Sequence, residues 1–150
     1  MKKMPLVLLL MLSMNSFSQS CQEKETKLLQ VVGGFSSALL YNTYGLIGSI
    51  ADGYTKDVYT PEVVHELMTA QIKMTGNLVV ILNKLVKDSV LRQSDRDYAI
   101  AVSALLNDLQ AEATLLQEFA DGNSEKKRKA YDELHRKNWS AISRLMGIKE

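Results

Sequence analysis

Cysteine is nearly missing from this chain. Cys21 is the only one in 150 residues, so no disulfide can form within it. A Cys-x-x-Cys-His haem attachment motif is excluded for the same reason. Proline is scarce as well, with Pro5 and Pro61 alone, so long helices can run unbroken. No stretch alternates apolar and polar residues between turn signals, which excludes an ordinary sheet protein. A Gly-x-Ser-x-Gly elbow and a phosphate-cradling glycine loop are both lacking. No internal repeat of solenoid length recurs. Histidine is limited to His65 and His135, which narrows the scope for metal or acid–base chemistry.

What the chain does have begins at its N-terminus. Lys2 and Lys3 precede a short apolar run at 6–12, followed by small and polar residues from Ser13 to Ser20. This is the layout of a secretory signal peptide, and the run is too short to span a bilayer of about 30 Å. Two exits compete. Ser16-Phe-Ser18 suits a general signal peptidase and would leave Gln19 first, whereas Ser18-Gln-Ser20-Cys21 suits lipoprotein processing, with Cys21 acylated. The lipoprotein pattern lacks the usual leucine three residues before Cys21. The expectation is an exported chain, periplasmic or extracellular, with membrane attachment only if Cys21 is lipidated. Residues 1–20 would be signal, 21–27 a polar tether and 28–150 one domain, a length that can bury a sizeable core.

Four segments carry helical periodicity. The first, 23–54, repeats Leu28, Val32, Phe35, Leu39, Leu46 and Ile50, and has no charge between Leu28 and Ala51. Its polar side chains and glycines argue against a membrane span. They fit a central helix covered on most sides, with Gly33, Gly34, Ala38, Gly45 and Gly48 admitting close neighbours. The second, 61–89, opens on Thr60-Pro61, a good start for a helix. The third starts at Ser94, with Asp97 completing a variant capping box, and ends at Gly122 as a C-terminal cap. The fourth runs over 124–146, with Asn138 intruding on its apolar face. Short joints make successive helices antiparallel neighbours. The predicted fold is therefore all-α, an up-down-up-down antiparallel four-helix bundle following a cleaved signal peptide.

Charge is divided along the chain. Residues 22–121 carry net −5, and residues 122–150 carry net +4. The run Lys126-Lys-Arg-Lys129 invites a polyanion, but export removes chromosomal nucleic acid as a natural partner. The acidic third segment (Asp95, Asp97, Asp108, Glu112, Glu118, Asp121) offers a complement within the molecule, and exposed pairs there would add only about 0–1 kcal/mol. The cations also oppose the dipole at the helix start, with Glu125 as a partial offset.

Glu62-x-x-His65 and Asp132-x-x-His135 each place two ligand types on one helix face. The first segment supplies no carboxylate to complete a di-metal bundle site, so neither metal nor cofactor is expected. Met68, Met74 and Met146 read as core filler rather than haem ligands. No catalytic residue is assigned. The expected function is that of a non-enzymatic interaction module binding another envelope or extracellular protein. Its expected contact surface is Tyr54, Asp57, Tyr59 and His65, at the end carrying the first and third joints. The alternative is a small-ligand or metal carrier using the bundle interior, suggested by Asn42, Asn138 and the glycines of the first segment.

Overall fold

The computed structural model describes residues 5–88, 91–122 and 124–148, with side chains from 23 onward except at 25. Among the described residues the regular elements are all helices: α1 (Pro5–Thr55), α2 (Pro61–Lys87), α3 (Gln93–Gly122) and α4 (Glu125–Met146). The chain divides into two compact units, residues 1–35 and 36–150.

Residues 5–35 form the first part of α1. Lys27 pairs with Glu23 at 2.7 Å, one turn earlier. Leu28, Val31, Val32 and Phe35 are exposed, Phe35 to 73%. The expected covering of this segment is therefore not found. Its spacing lines up the apolar side chains without supplying a surface to bury them. Among the described residues no helix is long and apolar enough to cross a membrane.

In residues 36–150 the four helices pack around one core. Leu40, Ile47 and Ile50 of α1 meet Val64 and Met68 of α2, Leu106, Leu109 and Leu116 of α3, and Tyr131 and Ile142 of α4. The most buried helix is α3, in place of the first segment. Its leucines alternate with Ala99, Ser103, Ala113 and Ala120, all buried, and these small residues let neighbours approach from several sides. The expected close approach is not found at Gly34 or Gly45, where a Cβ would meet nothing within 4 Å among the described residues. At Gly48 it is present: a Cβ there would lie 3.1 Å from the His135 ring.

Hydrogen bonds tie the helices in register. On α3, Gln117 donates to the His65 carbonyl at 3.2 Å and to Thr69 at 2.9 Å, and Ser103 donates to Asn83 at 3.1 Å. Gln71 of α2 donates to Thr43 of α1 at 3.1 Å. The Tyr54 hydroxyl of α1 reaches the Ala120 carbonyl of α3 at 3.1 Å.

The helix ends depart from expectation in detail. Asp57 adopts a left-handed φ of 58°. Its N–H reaches Tyr54 O at 3.1 Å, and Val58 N–H reaches Gly53 O at 2.8 Å. Gly147, at φ 69°, repeats the pattern, with N–H bonds from Gly147 to Arg144 O and from Ile148 to Ser143 O. Both are left-handed helix stops. Gly122 remains the last residue of α3 and is not such a cap. The partner of Asp97 is Gln93, one residue before the expected Ser94, at 2.7 Å. Thr60 precedes α2 in extended geometry without a side-chain cap, whereas Ser124 accepts from Lys127 N at 3.3 Å.

Candidate functional site

The chemistry concentrates where α1, α3 and α4 meet. Glu112 is fully buried, on the stripe that holds Leu109 and Leu116. A carboxylate there needs donors, because an unpaired buried charge is costly. Two side chains of α4 provide them. His135 Nδ1 lies 2.7 Å from Glu112 Oε1, and Asn138 donates to Oε2 at 2.7 Å. Asn138 is itself fully buried, and its amide also donates to the Asp108 carbonyl at 3.2 Å.

The imidazole is held in one orientation. Tyr44 of α1 stacks on it at 4.2 Å, and Tyr131 lies beside it at 5.5 Å. With Nδ1 committed to Glu112, Nε2 is the nitrogen turned to Gly48, 3.4 Å from the place of a Cβ there. Tyr131 is 4% exposed, and its buried hydroxyl has no partner among the described residues. Burial, followed by the nearby charge of Glu112, pushes its phenol far above the ordinary tyrosine range. The Tyr44 phenol is raised by the same two causes in the same order.

His135 and Tyr131 also line a cleft of about 270 Å³. Gly48, Ala51 and Phe119 give it apolar lining, and Asp52, Arg128 and Asp132 give it charge. Arg128 is held by Glu125 through two bonds, at 2.9 and 3.0 Å, which depresses the Glu125 carboxyl below its ordinary value. Chemically, the cleft can accept hydrogen bonds and hold a small polar molecule. Among the described residues no group of three His, Cys, Asp or Glu is arranged to hold a metal ion.

Four of the residues singled out from sequence stand between the end of α1 and the first turns of α2. Tyr54 spends its hydroxyl on Ala120 and its ring edge on Phe119, at 5.2 Å. The Tyr59 ring fills the space a Cβ would take on Gly53. Asp57 is the left-handed stop of α1. His65 pairs with Asp121 across the α2–α3 seam at 2.7 Å rather than with Glu62. The Glu62 carboxyl, beside the Thr60 hydroxyl, is held below its ordinary value. The side chain of Cys21 lies outside the described residues.

A second feature lies on the outside of α2. Val63, Leu67, Met74, Ile81 and Leu85 are all exposed, Met74 to 42% and Ile81 to 62%. Their spacings of four and seven place them on one helix face. Leu46 of α1, three residues beyond Thr43, is exposed as well. Glu62 and Glu66 lie toward one end of α2, and Lys84 and Lys87 toward the other.

Comparison with protein-family models, with curated proteins and with solved structures returns no match. The functional reading therefore rests on these two features.

Proposed function

We propose that the chain is an exported binding module of the cell envelope that works by contact and carries out no catalysis. The observation that carries this reading is the open apolar face of α2. A row of large apolar side chains left in water is costly unless something covers it, and such faces mark interaction sites. Heptad-like spacing suits a helical partner surface. Within the polar cluster both oxygens of Glu112 are taken by His135 and Asn138, which favours a structural use of that carboxylate.

The finer architecture belongs to the same proposal. In α2 and α3 the bonded positions run in opposite order, 65 and 69 with 117 and 83 with 103. In α3 and α4, 112 with 135 and 108 with 138 do likewise. Both pairs of helices favour the up-down-up-down topology. Residues 1–20 are the signal peptide, cut near Ser18 or Ser20, and lipidation of Cys21 would add a membrane anchor.

The test is a native gel of gently solubilised envelopes. The protein is expected to migrate in a complex, and the double variant Leu67→Glu/Ile81→Glu to migrate alone with unchanged helicity. A complex that survives the double change contradicts the proposal.

A second reading, a small-ligand carrier, is favoured by one specific observation. The buried Tyr131 hydroxyl lacks a partner among the described residues and belongs to a side chain lining a cleft. Native mass spectrometry decides it: a co-purifying small molecule that is lost in Tyr131→Phe supports the carrier, and a bare mass counts against it.

A further inference from the structure

We propose that the apolar face of α2 is covered by the same face of a second copy of this chain, with the two α2 helices antiparallel about a two-fold axis at Met74. This rests on the reading that this face is the contact surface, and it names the partner.

The observation behind it is that the stripe is its own reverse. Leu67 and Ile81 each stand seven residues from Met74, and Val63 and Leu85 each stand eleven. All five are exposed. A two-fold interface requires a patch that is self-complementary when turned end for end. In an antiparallel pair, Met74 meets its own copy, Leu67 lies level with the second copy's Ile81, and Val63 lies level with its Leu85. An arbitrary partner helix would not require this symmetry.

The charges follow the same operation. Glu62 and Glu66 occupy the N-terminal half of α2, and Lys84 and Lys87 the C-terminal half. Reversal lays the acidic half over the basic half. Glu66 and the second copy's Lys84 then differ by two residues in level, about 3 Å along the axis. Parallel pairing in register would instead put acid on acid and base on base, so charge selects the antiparallel arrangement. One group opposes it. Lys73 stands one residue from the axis, close to its own copy, and its long exposed stem can carry the ammonium outward into solvent.

The experiment is sedimentation velocity on the natively processed protein across a concentration series. The expected result is a species of twice the chain mass that dissociates on dilution. Ile81→Glu is expected to weaken the dimer about tenfold or more while the helical signal is kept, because it sets carboxylates against an apolar layer. Glu66→Lys is expected to weaken it as well, and Glu66→Lys/Lys84→Glu to restore it. These two positions are exposed, so the pair reports pairing without threatening the fold. A monomer at every concentration overturns the inference, as does a dimer indifferent to Ile81→Glu or a charge swap that fails to rescue. A monomer whose envelope complex still depends on Leu67 and Ile81 removes the second copy and leaves the contact surface standing. Loss of both removes both.

Discussion

Single residues carry most of the chemistry, and Glu112 is the clearest case. A carboxylate at full burial is tolerated only because His135 and Asn138 occupy both of its oxygens. Glu112→Ala would leave those donors unmatched in the core, and a loss of about 3 kcal/mol is expected in chemical denaturation. Tyr131 gives a pH signature. Its phenol titrates far above the ordinary value of about 10, because burial disfavours the charged form. Below that value neither the folded nor the unfolded state ionises it, and stability is indifferent to it. Above it the unfolded chain loses the proton while the folded chain keeps it, so stability falls as pH rises, by up to about 1.4 kcal/mol per pH unit. Urea melts between pH 9 and 11 are expected to show this extra slope in the native sequence and to lose it in Tyr131→Phe. Asp57 sits in a backbone conformation that glycine adopts without strain. Asp57→Gly is expected to stabilise the protein by about 1 kcal/mol, read as a higher Tm.

Among the elements, existence was legible in the amino-acid order, while surroundings were not, nor was the extent of α1, which begins at Pro5 and runs through the expected tether at 21–27. Periodicity located all four helices, and Pro61 and Ser124 marked two of their starts within a residue. Which helix lies deepest does not follow from periodicity. The uncharged first segment reads as central, yet the alanines and serine interleaved with leucines on α3 decide the matter. Spacing tells which side of a helix is apolar, and says nothing of whether a neighbour is there. Glu112 could have been found, since it stands three residues after Leu109 and four before Leu116 on the buried stripe. Its counterpart Asn138 intrudes on the apolar face of α4, and its amide N–H meets the Glu112 carboxylate. The tyrosines near the first joint have a structural use that spacing does not show. Position near a joint does not reveal that Tyr54 and Tyr59 are used to close it. The glycines divide by the same test. Gly48→Ala places a Cβ 3.1 Å from the His135 ring and is expected to lower the melting temperature, whereas Gly45→Ala meets nothing among the described residues and gains helix propensity.

For the whole molecule, the interior is knit by hydrogen bonds across every helix it contains, and the exterior of α2 is left apolar. The first property makes a stable body, and the second asks for company. The measurement that separates this account from the reading based on tyrosines is photo-crosslinking in the intact envelope, with the reactive residue placed at Ile81 or at Tyr59. An efficient covalent adduct is expected from Ile81 and little from Tyr59. An adduct from Tyr59 with none from Ile81 would contradict it.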